Sequence, residues 1–501
     1  MRHILTLVSA ILLSFGALAQ QPNILLIIAD DLGLDPVPNY LPGPLKAAMP
    51  NLEGLMANGL TFENVWADPL CSPTRATIIT GRYGFRTGVL NANAQSLIPP
   101  SEVILHCYLN NIGSSYATSL IGKWHLGGQM ANPNYPTVMG VPHYAGLLAG
   151  AVSDYYAWNL TVNGVQTPRT DYITTAITDL GIEWIGQQTD PWFCWLAYTA
   201  PHTPFHLPPL NMHTQGALPT DQASITANPL PYYLAMVESL DFEIGRLFAS
   251  IPASELANTV IIFIGDNGTD RNVIQAPHAM NHGKGTLYEG GVNVPMVISG
   301  PGVTRIGERE AALVNSTDLF TTIIELTGEA LPVYEDSRSL VPMLSQSGQT
   351  VRDCMYAEVD DLTTGHANRN ARYKLISFAN GTEAFFDLQT DPWEPNELLA
   401  GGLDVEQQVA YDDLSVNCDV LASVQETGTV GFAVHPNPTT DLLYVEAAST
   451  WSGRYAIRDL TGALVSTGVL AHNTHSISVV DLGAGIYVVE TDGRTQRFVK
   501  Q

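Results

Sequence analysis

Asn23-Ile24-Leu25-Leu26-Ile27-Ile28-Ala29 is an aliphatic run that closes on two carboxylates, Asp30-Asp31. Its apolar residues do not alternate with polar ones, so neither face of the segment is built for water. A strand covered on both sides is the element that suits such a run. Val260-Ile261-Ile262-Phe263-Ile264-Gly265 repeats the pattern and closes on Asp266-Asn267. Between and around these runs lie helix-like stretches, which predicts an α/β unit over 20–330: a large, mainly parallel sheet with helices on both faces. Ligands of such sheets gather at the carboxyl ends of the strands. Both runs place their acidic residues there.

Outward from this unit the texture changes. Tyr373-Lys374-Leu375-Ile376-Ser377-Phe378 and Thr382-Glu383-Ala384-Phe385-Phe386-Asp387 flank Ala379-Asn380-Gly381, and Asn-Gly is a strong hairpin signal. Residues 331–417 therefore read as a small antiparallel α+β subdomain. Residues 418–430, small and polar, read as a linker. Residues 431–501 carry short strand-like runs between Gly and Asn turns and read as an all-β sandwich.

A chain of 501 residues suggests two or three domains, and 45% apolar content can bury a large core. With 48 acidic against 22 basic residues the net charge is −26. No nucleic acid is expected as a partner, because phosphate binding needs a basic footprint. Arg2 and His3 precede an apolar stretch from Ile4 to Leu18, and Ala17-Leu18-Ala19 has the small-x-small pattern of a cleavage site. Residues 1–19 read as a secretory signal peptide, with Gln20 first in the mature chain. The five cysteines (71, 107, 194, 354, 418) leave at least one unpaired or chemically used. Cys194, inside Trp192-Phe193-Cys194-Trp195-Leu196, reads as a buried free thiol.

Four short motifs carry the chemistry. In Cys71-Ser72-Pro73-Thr74-Arg75, Pro73 suits the first turn of a helix and Gly81 its end, so Cys71 is expected at a helix N-terminus. That end of a helix favours an anion, and Arg75 lies one turn on. Gly122-Lys123-Trp124-His125-Leu126-Gly127 sets a cation and an imidazole two residues apart, on one side if extended. Pro201-His202-Thr203-Pro204 follows an apolar run. His282-Gly283-Lys284-Gly285 leads to Glu289-Gly290-Gly291, with glycines that let the backbone approach a ligand. Each motif alone is more often structural than functional.

In order and context they resemble the sulfatase family of the alkaline-phosphatase-like superfamily, from Pro22 to about Leu399. The segment of Cys71 continues into Thr80-Gly81-Arg82 as in that family; Thr74 departs from it, since Ser or Ala is commoner there. The resemblance implies a formylglycine made from Cys71 by a maturase. The aldehyde hydrates to a diol, one hydroxyl attacks sulfur, and deprotonation of the other releases sulfate. It implies Asp30, Asp31, Asp266, Asn267 and modified Cys71 as metal ligands. Hard oxygen donors of this kind suit Ca²⁺. It further implies that Arg75 and Lys123 stabilise the diol, that His125 is the base releasing sulfate, and that His202 and Lys284 bind the sulfate, His202 also protonating the leaving oxygen. His206 and His278 are possible substrate contacts.

The last unit resembles the C-terminal sorting domain of type IX secretion cargo, in Pro436-Asn437-Pro438-Thr439 and in the Gly485-Ile486-Tyr487 strand. The resemblance implies export through the periplasm to the surface or medium by that machinery. The expected substrate is a sulfated small molecule or carbohydrate, read by loops at 128–169 and 207–231 that hold Tyr144, Tyr155, Tyr156 and Trp158. The rival readings are a phosphonate monoester or phosphodiester hydrolase on the same scaffold, and a catalytically dead glycan-binding protein.

Overall fold

The computed structural model describes residues 21–93, 95–128, 132–361 and 364–416, and in the last unit 432–435, 439–447, 454–459, 464–469, 476–483, 485–491 and 494–500. The expected signal peptide, the linker at 418–430 and Pro436-Asn437-Pro438 lie outside the described residues.

Asn23–Ala29 is a strand, and so is Thr259–Gly265. They are neighbours in a ten-stranded sheet. Thr259–Gly265, Asn23–Ala29, Trp192–Ala197, Ala117–Lys123 and Tyr144–Leu147 run parallel in that order, so their carboxyl ends share one edge. Around this parallel centre the sheet is mixed. Met296–Ser299 runs antiparallel to Thr259–Gly265 and to Gly59–Trp66. Glu308–Asn315 closes one side, parallel to Gly59–Trp66. The hairpin Trp158–Val162 with Val165–Arg169 closes the other.

The unbroken aliphatic run has its reason here. Successive side chains of a strand point to opposite faces, and Ile24, Leu26 and Ile28 enter one core while Leu25, Ile27 and Ala29 enter the other. The first core is capped by Ala76, Ile78 and Ile79 of the helix Cys71–Thr80 and by Leu319, Phe320, Ile323 and Ile324 of the helix Leu319–Leu326. The second is capped by the helices Ile173–Ile185 and Leu230–Ser250. All six strand residues are fully buried. Truncating Leu25 or Ile28 to alanine would cost about 2–5 kcal/mol.

The hairpin read around Asn380-Gly381 is present: Tyr373–Phe378 pairs antiparallel with Glu383–Asp387, and Gly381 turns with φ 82°. Met355–Val359 and Gly365–Arg369 complete a four-stranded sheet. Its Tyr373, Leu375 and Phe385 pack on Leu414 of the helix Val405–Val416. On the opposite face Ile376 and Phe386 pack with Trp66, Leu70 and Leu287, so this small sheet buttresses the residue before Cys71. The last unit holds a three-stranded and a four-stranded antiparallel sheet around Leu443, Ile457, Ile477, Val489 and Phe498. Cys71, Cys107 and Cys194 are free thiols, with Cys194 buried as expected, and Cys354 is disulfide-bonded.

Candidate active site

Cys71 opens the helix Cys71–Thr80, with Leu70 extended before it and Gly81 left-handed (φ 69°) after it. No side chain caps the first turn, so its amide donors stay available to an anion. Thr74 folds its hydroxyl back onto the carbonyls of Asp68 (3.1 Å) and Leu70 (3.2 Å), which fixes the approach to Cys71. Ser72 donates its hydroxyl to the carbonyl of His125 at 2.7 Å, tying the helix to the Lys123 segment.

The Asp30-Asp31 and Asp266-Asn267 pairs meet beside it. The amide of Asp31 donates to Asp266 Oδ1 at 3.0 Å, and Asn267 Nδ2 donates to Asp31 Oδ1 at 2.9 Å. Asp31 sits in the left-handed region at φ 65°, uncommon outside glycine, and Tyr233 holds its carbonyl at 2.9 Å. Arg75 grips Asp266 Oδ2 through Nε (3.1 Å) and Nη2 (2.7 Å) and donates to the carbonyl of Lys123 at 3.1 Å. Lys123 Nζ lies 2.6 Å from Asp30 Oδ2, and Lys284 Nζ lies 2.6 Å from Asp31 Oδ1.

Lys123 and His125 do reach one site, but not by extended alternation. The strand ends at Lys123, and His125 turns left-handed at φ 52°. Its Nε2 lies 3.1 Å from the carbonyl of Ala92 and its Nδ1 lies 3.3 Å from Cys71 Sγ. A carbonyl can only accept, so Nε2 carries the hydrogen and Nδ1 presents a lone pair to residue 71. Burial, with Lys123 and Arg75 adding to it, pushes this imidazole well below its usual range, which keeps it neutral. His202 Nδ1 lies 2.7 Å from the carbonyl of Thr203, and its Nε2 points at Asp31 Oδ2 from 3.8 Å. Burial outweighs Asp31 and pushes His202 down to about 3.

The donor set fits a hard cation. Asp30 Oδ1 and Asn267 Oδ1 are buried and have no hydrogen-bond partner. Burial pushes Asp30 well above the usual carboxylate range; Lys123 opposes this, while Asp266 and Asp31 add to it. Ligand atoms of Asp30, Cys71 and Asp266 lie within 4.8 Å of one another. Three carboxylates here face three cations, so the pocket has no net charge left for a sulfate unless a divalent ion joins it. Asp30, Asp31, Asp266 and Asn267 offer the hard oxygen donors that could hold that ion.

Of the two further histidines, His206 lies beside the site: its ring stands 4.1 Å from that of Tyr155, whose hydroxyl donates to the carbonyl of His202 at 2.6 Å. His278 does not join it. It lines a separate cavity of about 220 Å³ with Glu63, Glu289, Arg309 and Trp393. Two supports were not legible in the sequence, Ser72 and Tyr233. Tyr233 lies within an apolar helix, where nothing local marks its hydroxyl.

The model of the sulfatase family matches residues 22–329, and that of the N-sulphoglucosamine sulphohydrolase C-terminal region matches 279–412. The chain belongs to the sulfatase family. It is a sulfuric ester hydrolase, 28% identical over 392 residues to N-acetylgalactosamine-6-sulfatase of Sus scrofa (71% of this chain, 72% of that one). It is 29% identical over 450 residues to arylsulfatase A of Bos taurus (82% and 85%). Among solved structures this sulfatase shares its fold with a protein in complex with its substrate D-glucosamine-2-N,6-O-disulfate (TM-score 0.66, 20% identity, 82% of this chain and 100% of that one). It shares it as well with phosphonate monoester hydrolase of Agrobacterium radiobacter (TM-score 0.61, 21% identity, 83% and 98%). Residues 433–501 match a secretion system C-terminal sorting domain. This sulfatase is thus exported to the cell surface or beyond, and among the described residues no helix is long and apolar enough to cross a membrane.

Proposed function

We propose that this sulfatase hydrolyses sulfate esters of a carbohydrate through formylglycine at position 71, with Ca²⁺ held by Asp30, Asp31, Asp266, Asn267 and the modified residue. The observation that carries the reading is the bare Nδ1 of His125, 3.3 Å from Cys71 Sγ at the head of an uncapped helix. The sulfur marks the place where the oxygens of the modified side chain would stand. When present, the hydrated aldehyde supplies one hydroxyl to attack sulfur and a second whose loss of a proton expels sulfate. A maturase converts the cysteine first.

The chain's own residues divide the remaining work. Arg75 and Lys123 are fixed by Asp266 and Asp30, so they stabilise negative charge beside residue 71 without reorganising. His125 accepts the proton at Nδ1, for which a neutral imidazole is required. Lys284 and His202 hold the sulfate. With Nδ1 committed to the carbonyl of Thr203, Nε2 of the neutral His202 is an acceptor, so its role as acid rests on the incoming anion, whose charge raises the imidazole toward protonation. The sugar reading is supported by the name of the pig relative and by the tyrosines at 155, 156 and 172, whose rings surround His206 beside the site. The division proposed is a signal peptide at 1–19, a catalytic unit at 20–330, its subdomain at 331–417, a linker at 418–430 and the sorting unit at 431–501.

The shared fold of the phosphonate hydrolase keeps one rival reading in view. The test is kcat/KM of matured protein on sulfated sugars beside matched phosphonate monoesters and phosphodiesters, with the mass of the peptide containing residue 71. Faster turnover of either phosphorus substrate, or full activity with an unmodified thiol, overturns the proposal.

A further inference from the structure

Charge pairing singles out one cation. Among the described residues from 21 to 416, every lysine and arginine but one has an ion pair or hydrogen bond within the chain. The exception is Arg271, which is half-buried. In a chain with 48 acidic residues against 22 basic ones a carboxylate partner is easily supplied. Even the adjacent Asp270 is turned away, its Oδ1 taken by the backbone amide (2.8 Å) and side-chain Nδ2 (2.9 Å) of Asn272.

The position of Arg271 is as specific as its lack of a partner. Gly283 and Gly285 flank Lys284. A β-carbon on Gly283 would stand 3.2 Å from Arg271 Cγ, so the aliphatic stem lies on the backbone before Lys284. A β-carbon on Gly285 would stand 3.8 Å from Arg271 Nη2 and 3.8 Å from Cδ2 of Leu70. The guanidinium therefore ends beside the residue after Lys284 and close to the residue before Cys71. The backbone beneath it is fixed, with Lys284 N–H bonded to Thr269 O and Gly285 N–H to Pro69 O, both at 2.9 Å. Lys123, Arg75 and Lys284 are occupied by Asp30, Asp266 and Asp31. Arg271 is the cation near the site with its donors free, in a planar fork that matches an oxyanion.

We infer that Arg271 is a specificity residue, binding a second oxyanion of the substrate, either a carboxylate or another sulfate, carried on the sugar beside the scissile ester. The inference rests on the sulfatase reading above and names its substrate class: doubly anionic sugars rather than monosulfated neutral ones.

The experiment is inhibition of 4-nitrophenyl sulfate turnover by pairs of sugar sulfates that differ by one added group, a carboxylate in one arm and a second sulfate in the other. Inhibition reads binding whether or not a given sugar is cleaved. Wild-type protein should bind the doubly anionic member of at least one arm about 10- to 100-fold more tightly, the worth of a charge-assisted contact. Arg271→Ala should abolish that preference and Arg271→Lys should keep part of it, while both turn over 4-nitrophenyl sulfate at the wild-type rate. Equal binding of both members in both arms, or a preference that survives Arg271→Ala, overturns the inference and leaves the sulfatase reading standing. No turnover of the aryl sulfate or of any sugar sulfate in either arm by protein whose residue 71 is formylglycine by mass would sink the sulfatase reading itself.

Discussion

His125 Nδ1 faces Cys71 Sγ across 3.3 Å while its Nε2 is committed to the carbonyl of Ala92. One hydrogen bond on the far side of the ring thus decides which nitrogen serves residue 71. Gly150 contributes too: a β-carbon there would lie 2.2 Å from His125 Nε2, so the segment above the ring must be bare backbone.

Replacing His125 should separate the two halves of the reaction. His125→Ala should lower steady-state kcat by about 10²–10⁴-fold, yet still release one equivalent of phenol per enzyme in a rapid first phase. Rapid-quench measurement of 4-nitrophenol reads both. A first turnover slowed as much as the later ones would remove His125 from the sulfate-releasing step.

Metal removal should act on stability as well as rate. Asp30 Oδ1 and Asn267 Oδ1 have no hydrogen-bond partner among the described residues, and an ion that binds only the folded state stabilises it by mass action. Added Ca²⁺ should raise Tm in a concentration-dependent way, and chelation should lower it and stop turnover. Asp30→Asn should lose the Ca²⁺-dependent rise. Calorimetry with and without chelator checks this, and an unchanged Tm in both would exclude the site.

His202 and Lys284 should differ in how they answer to the leaving group. Lys284→Ala removes an electrostatic contact and should cost about 10²–10³-fold on every substrate. His202→Ala should be severe for a sugar alcohol, a poor leaving group, and milder for nitrophenol. Equal losses on both substrates would make His202 a grip on sulfate and nothing more.

A buried carboxyl pair predicts a pH dependence of stability away from the chemistry. Asp68 Oδ1 accepts from the amide of Glu358 at 3.2 Å, and Glu358 Oε1 accepts from the amide of Phe85 at 2.6 Å. Burial pushes Asp68 up to about 7; burial and then the charge of Asp68 push Glu358 up to about 8. Both groups hold protons in the folded state at pH values where the unfolded chain has lost them, so their contribution is complete below about pH 4. It is lost as pH rises to 8. Glu358→Gln should flatten the fall in Tm between pH 5 and pH 9; an equally steep fall in the variant would contradict the shift.

The tail should be dispensable for catalysis. Its sheets enclose their own core of Leu443, Ile457, Ile477, Val489 and Phe498. Truncation after residue 430 should leave kcat and KM of the matured enzyme unchanged and block export, read by activity in cell fractions. Loss of activity in a folded, matured truncate would show that the tail completes the site.

How much of this was legible in the chain depends on the range of the interaction involved. Ile24 to Ala29 announced a doubly covered strand because both cores draw on it alternately, and period and burial are local properties. Pro73 and Gly81 marked the helix of Cys71 because they restrict its own backbone. Asn380-Gly381 marked its hairpin for the same reason. The motif residues could be named from their order, but their partners could not. That Arg75 is held by Asp266, 191 residues away, follows from strands that become neighbours only when the sheet assembles. The left-handed turn at His125, which replaces the expected extended alternation, is set by Leu148 and Ala92 through hydrogen bonds across chain segments. His278 stands near Lys284 in sequence and apart from the site in space, because the loop between them turns into another cavity. Arg271 shows the same division most clearly. Its charge was countable from the start, but its freedom from any partner is a property of all the other pairings at once, and only the folded chain decides those.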